Sequence, residues 1–196
     1  MKKSIFVFIA VLATAITLNA QVYKGARTAV SFYSSTPLED ITAKDTVATV
    51  ILNGKSGDVL VTLPIKGFVF ANSLMQEHFN ENYMETDKAG PKDANGKVTY
   101  PNQKATFKGK INEAVDYTKD GTTKITITGT LTIHGVAKER TIDATLVVKG
   151  SQVIIDSKFQ VPLADHNITV PTAVGAKIAE KIDVTVHSEL KDASKK

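Results

Sequence analysis

Over residues 124–148, KITITGTLTIHGVAKERTIDATLVV, apolar and polar positions alternate with a period of two more clearly than anywhere else in the chain. Positions 125, 127, 129, 131 and 133 are Ile, Ile, Gly, Leu and Ile, while Thr126, Thr128, Thr130 and Thr132 fill the places between them. That pattern predicts a strand with one buried face. Residues 140–148 repeat it through Ile142, Ala144, Leu146 and Val148, and the interruption HGVAK carries Gly135, which takes positive φ without steric cost. The two runs are expected to form a long hairpin.

Weaker versions of the pattern extend to both sides. A polar stretch over residues 23–28 leads into a short strand near residues 30–33. After Pro37, the alternation of Val47, Thr49 and Ile51 runs to the turn cluster Asn53, Gly54, Lys55, Ser56, Gly57. Val59, Val61, Leu63 and Ile65 alternate beyond it, giving a second hairpin. Phe68 and Phe70 continue as a strand fragment. Further strands are expected over residues 103–111, 152–161 and 182–189, with turns at Asp120-Gly121 and Gly150-Ser151, and residues 191–196 read as a polar tail. So many strands punctuated by hairpin turns predict an all-β barrel or sandwich.

One segment departs from period two. Residues 74–85 place Met75, Phe79 and Tyr83 on one helical stripe and Glu77, Glu81 and Glu85 on another, with Ser73 as the expected cap and Gln76 completing a capping box. The aromatic stripe either packs against the mouth of the β-structure or borders the entrance to a cavity. Residues 89–99, AGPKDANGKVT, concentrate Gly, Pro, Asp and Asn-Gly as a mobile loop would.

The N-terminus changes the picture of where this domain works. Lys2 and Lys3 precede an uncharged apolar run over residues 5–18, then Asn19, Ala20 and Gln21. This is the layout of a secretory signal peptide cut after Ala20, although Leu18 is a less usual residue than Ala at its position; an uncleaved anchor is the competing reading. Removing residues 1–20 takes away Lys2 and Lys3 and no acid, so the formal net charge falls from +4 to +2. The remainder suits one domain with a real core. With no Cys in the chain, neither a lipidated cysteine nor a disulfide is available. The pI near 9.1 does not make a nucleic-acid binder, because Lys104, Lys108 and Lys110 alternate with Ala105, Phe107, Gly109 and Ile111 as the wet face of a strand.

Candidate chemistry is sparse. His78, His134, His166 and His187 lie far apart and show no H-x-x-x-H or H-E-x-x-H spacing; His78 with Glu81 sits at i, i+3, a spacing used in carboxylate-bridged metal sites, without a second such pair. His134 falls at the hairpin turn, where a hydrogen-bonded ring at the rim is expected. No G-x-S-x-G, phosphate loop or Cys nucleophile accompanies these residues. The expectation is no catalytic residue, no metal and no cofactor.

LTIHGVAKERTIDATLVV resembles the LTIHGVTKPVTLDV-type hairpin of the YceI-like family of secreted, lipocalin-like proteins. SLMQEHFNENYMETDK followed, after an insert, by YPNQKATFKGKI is similar to the family's helical segment and its YP-x-x-x-F strand. The resemblance covers residues 21–190. It implies a lipocalin-like antiparallel β-barrel of about eight strands with one short amphipathic helix near the mouth. It also implies an isoprenoid, a quinone or another long apolar lipid as ligand, in the periplasm or outside the cell. The ligand-facing set expected on this reading comprises Phe68, Phe70, Met75, Phe79, Tyr83 and Phe107. Ile127, Gly129, Leu131, Ile133, Leu146 and Phe159 complete it. Gly129 carries two alternatives, a sharp bend of the barrel wall or space kept open for the ligand. Many members of the family carry an Arg-Ser-Asp-Phe-Gly-like segment before the last strand, where this chain has Pro162, Leu163, Ala164, Asp165, His166 and Asn167. A pyrophosphate headgroup would lose its bidentate Arg partner, which favours a neutral lipid. The alternative is an interaction module with a side-chain-filled barrel, touching a protein partner through its acidic helix face and insert loop.

Overall fold

The hairpin forms, with β7 (Gly121–Ile133) and β8 (Val136–Lys149) paired from Gly121 opposite Val148 to Ile133 opposite Val136. The connection is only His134-Gly135, at φ 52° and 72°, the doubly left-handed turn whose twist matches that of the strands. The second strand therefore resumes at Val136, earlier than alternation suggests, because exposed Ala137, Lys138 and Glu139 hide the period while the backbone ladder continues.

The computed structural model describes residues 21–193, apart from the side chains of residues 173 and 174. The other strands are β1 (Val22–Ser35), β2 (Asp40–Asp45), β3 (Thr49–Asn53), β4 (Asp58–Pro64), β5 (Val69–Phe70), β6 (Lys104–Ile111), β9 (Gln152–Pro162) and β10 (Lys181–Asp192). All pair antiparallel. The ladder β10-β9-β8-β7-β6-β4-β3-β1 closes on itself through β1 and β10, so eight strands make a closed barrel. β1 serves two further partners in succession, β3 through Val22–Lys24 and β2 through Val30–Ser35, and β2 carries β5 outward over one end.

That end is the mouth. It gathers the segment from Ile65 to Tyr83, the His134-Gly135 turn, and the irregular stretch between β9 and β10. The opposite end is filled by the protein's own side chains: Tyr23, Leu52, Leu146, Val153 and Leu190 are all 0% exposed, and Tyr117 packs on Tyr23 with ring centroids 5.4 Å apart. Fully burying one such Leu or Val contributes about 1.5–3 kcal/mol, so this plug anchors the barrel. Burial pushes the Tyr117 hydroxyl up to about 12, with Tyr23 adding to the shift.

Several expectations need correction. β1 spans fourteen residues and takes in the polar stretch, because a register shift between Gly25 and Arg27 changes which parity faces inward: Tyr23 before it, Thr28 and Val30 after it. β2 carries too few apolar residues to announce itself. In β3 the inward residues are Val50 and Leu52, while Val47 and Ile51 are 56% and 39% exposed. β10 runs to Asp192, two residues into the expected tail. The 89–99 insert folds back on itself: Gly90 N–H donates to Thr99 C=O at 2.8 Å, Asp93 N–H to Lys97 C=O at 2.8 Å, and Lys92 bridges Val98.

The helix also differs. α1 (Ser73–His78) is capped by Asn72, whose side-chain oxygen accepts from the N–H of Leu74 and Met75 at 2.9 and 3.3 Å. Gln76 instead accepts from Phe70 N–H at 3.3 Å, tying the helix to β5 rather than closing a capping box. A wider π-turn follows over Phe79–Tyr83, and Glu85 lies beyond it in a left-handed conformation at φ 45°.

Candidate functional site

Above the plug the barrel is hollow. A cavity of about 470 Å³ opens at the mouth, within the range of ligand pockets. Its wall follows from the alternation of the strands: Val30 and Phe32 from β1, Val61 and Leu63 from β4, Ile127, Leu131 and Ile133 from β7, Phe159 and Val161 from β9, Val184 and Val186 from β10. Val50, Val59, Ile142 and Ile155 close its floor.

Aromatic rings line the upper part. Phe79 faces Phe32, Phe68 and Phe70 with centroids 5.5, 5.7 and 5.1 Å apart, and Phe32 meets Phe68 and Phe70 at 5.1 and 5.6 Å. These offset and edge-on contacts hold the mouth helix against β1 and β5. Met75 and Tyr83 flank the same space, and burial raises the Tyr83 hydroxyl above its ordinary value.

The polar groups divide by depth. At the floor Ser188 shares a 2.8 Å hydrogen bond with buried Thr28, and Ser157 donates to Asp143 C=O at 2.7 Å, so these hydroxyls are already engaged. At the mouth stand Ser34, Glu39, Asn72, His78 and Lys177, with Lys177 Nζ 3.4 Å from Glu39. An apolar shaft with polar groups at one end suits an amphiphile held tail first.

The strands β8 and β9 part at Ala144 and Ser157; nearer the mouth β9 pairs with β10 alone. Arg140 spans the gap, donating to Gln160 C=O and lying 3.2 Å from Asp165. His166, 0% exposed, closes the upper end through Nδ1–H to Val136 C=O at 3.0 Å, and burial lowers its pKa. His134 lies 3.3 Å from His166 C=O and 3.1 Å from Glu85, whose carboxyl is held below its ordinary value first by Lys88 and then by His134. The residues 162–167 thus stitch a seam in the wall.

Of the ligand-facing residues expected from the sequence, Phe68, Phe70, Met75, Phe79, Tyr83, Phe107, Ile127, Leu131, Ile133 and Phe159 lie on the cavity wall. Leu146 does not: it is sealed in the plug. Gly129 does not either. A Cβ built there would lie 2.2 Å from Lys108 O and 2.3 Å from Gly109 Cα, so its small size serves close approach of β6 and β7, not ligand space. Phe32, at the centre of the aromatic group, escaped notice because the shift in β1 breaks the period that leads to it. His78 and Glu81 part company, the first at the cavity mouth and the second in a groove on the helix's other side. Among the described residues no three His, Cys, Asp or Glu side chains gather as a metal site.

A closed eight-stranded antiparallel barrel with one short helix at the mouth of an apolar interior is a lipocalin-like architecture. The family model of the YceI-like domain matches residues 24–190, and the chain belongs to that family. Solved structures agree on the fold. A polyisoprenoid-binding domain from Saccharophagus degradans, implicated in plant cell wall breakdown, superposes with a TM-score of 0.68 at 12% identity, covering 88% of this chain and 99% of that one. BcnA of Burkholderia cenocepacia gives 0.63 at 18% identity, covering 83% and 95%. The Campylobacter jejuni YceI protein gives 0.53 at 20% identity, covering 74% and 80%. No curated protein sequence matches the chain.

Proposed function

We propose that this protein is an exported lipid-binding barrel that sequesters or carries an isoprenoid, quinone or similar apolar ligand in the periplasm or outside the cell. The carrying observation is the 470 Å³ cavity walled by aliphatic and aromatic side chains. Binding would proceed by burial: each methylene withdrawn from water contributes about 0.8 kcal/mol, with few polar contacts needed. The polyisoprenoid-binding domain of Saccharophagus degradans shares the fold and lends support to the ligand class. The signal-like layout of residues 1–20, which lie outside the described residues, supports export. The hollow upper half speaks for a carrier over a side-chain-filled interaction module, and the reading assigns the chain no reaction, metal or cofactor.

Organic extraction and mass spectrometry of protein purified from its native envelope test this. A stoichiometric apolar lipid is expected. Protein that carries none, and takes up none from a mixed lipid extract, would overturn the proposal.

A further inference from the structure

The barrel begins at the bond the exported chain is expected to lose. Gln21 is partly buried at the closed end, where its C=O accepts from Gly54 N–H in the β3–β4 turn at 2.8 Å. Val22 opens β1, and its C=O accepts from Ala193 N–H at 2.7 Å just beyond β10. The next residue, Tyr23, pairs with Asp192 in the ladder that closes the barrel and is 0% exposed in the plug. A cut after Ala20 therefore leaves a terminus whose first carbonyl is already tied down. The seat is tight, since a Cβ built on Gly54 would lie 3.3 Å from Gln21 O and 3.2 Å from the Tyr23 ring.

What the cut sets free is the α-amine of a glutamine. That nitrogen is separated from the side-chain Cδ of the same residue by Cα, Cβ and Cγ, so a bond between them closes an unstrained five-membered ring. The main-chain anchor does not stand in the way. Ring closure uses the nitrogen and the side chain, whereas the carbonyl oxygen that holds Gln21 to Gly54 is left alone. The side-chain contact that must be given up is a long one, Nε2 to Asp192 Oδ2 at 3.4 Å, near the limit of a hydrogen bond.

Resting on the export reading above, we infer that Gln21 of the mature protein is a modification site, closed into a neutral pyroglutamyl lactam. The α-nitrogen attacks Cδ, the N–Cδ bond forms and the Cδ–Nε2 bond breaks; a proton passes from the amine to Nε2, which leaves as ammonia. No oxidant, reductant or co-substrate is consumed. The product carries no terminal charge and offers an aminopeptidase no free α-amine. That matters in this fold because the N-terminal strand is the one that closes the barrel, and trimming past Val22 would take Tyr23 out of the plug.

The test is intact-mass spectrometry and Edman sequencing of undigested protein recovered from its native envelope. The expected mass is that of residues 21–196 less about 17 Da for the lost ammonia, with the terminus blocked to Edman chemistry. Pyroglutamyl aminopeptidase acting on the denatured protein should lift the block and expose Val22. Gln21→Ala is the control: cut at the same bond, it should keep its full mass and read alanine, then Val22 and Tyr23. Free Gln21 as the principal terminus overturns the inference and leaves export intact. An intact Met1, or a terminus elsewhere, overturns the cleavage after Ala20 on which the inference rests, while lipid binding is decided separately by the extraction above. The wild-type protein decides between these outcomes even if the variant is not exported.

Discussion

Gly129→Ala isolates the geometry of the barrel wall from the chemistry of its interior. Gly129 stands opposite Gly109 in the ladder between β6 and β7, which pairs Thr106 with Thr132 through to Ile111 with Ile127. An added methyl would lie 2.2 Å from Lys108 O, 2.3 Å from Gly109 Cα and 2.8 Å from Lys108 C. All three atoms are backbone, so no side chain can rotate away; the strands must separate by about 1 Å to reach ordinary contact. Such overpacking costs about 1–3 kcal/mol. Stretching the two nearest ladder hydrogen bonds adds about 1 kcal/mol each. A loss of about 3 kcal/mol corresponds to ~10 °C in Tm for a domain of this size. Gly121→Ala is the control, since a methyl there meets nothing within 4 Å and should change stability by less than about 0.5 kcal/mol. Thermal melts by circular dichroism read both, and the lipid content per folded molecule should stay at the wild-type level for Gly129→Ala. A variant that melts with wild type refutes the close approach. One that melts normally but loses its lipid shows that position 129 faces the cavity.

Two further outcomes follow from the rim. Asn72→Ala removes the acceptor for two N–H groups of the mouth helix and should cost about 1 kcal/mol in denaturant unfolding, whereas Ser73→Ala should be close to neutral; the reverse order would restore Ser73 as the cap. His166 is buried and its pKa lies below the ordinary 6.5, so between those two values the unfolded chain binds a proton that the folded one does not. Its stabilising effect is complete above pH ~6.5 and is lost as the pH falls, by at most ~1.4 kcal/mol per pH unit. His187 runs the other way, its pKa raised first by Asp156, but at 46% side-chain exposure its effect is small. Stability should therefore decline from pH 7 to pH 5, and His166→Asn should flatten that decline; a variant with an unchanged slope would place the titration elsewhere.

Strands with one buried and one wet face carry their own geometry in the sequence, and here that was enough to read the β7–β8 hairpin, the inward set of β4, the existence of the mouth helix and most of the cavity wall. Ile127, Leu131 and Phe159 could be assigned because period two holds without interruption around them. What stayed hidden lies where a non-local contact replaces the local rule. The register shift near Gly25 reverses the inward parity of β1 and conceals Phe32; β2 forms because it lies between β1 and β5, not because its residues favour a strand. The same pattern placed Leu146 and Ile127 on one inner surface, yet only closure of β1 onto β10 decides that the first is sealed in a plug while the second borders open space. Alternation specifies which face of a strand turns inward; how much of that interior is filled depends on which side chains meet across a closed ring, and strands far apart in sequence supply them.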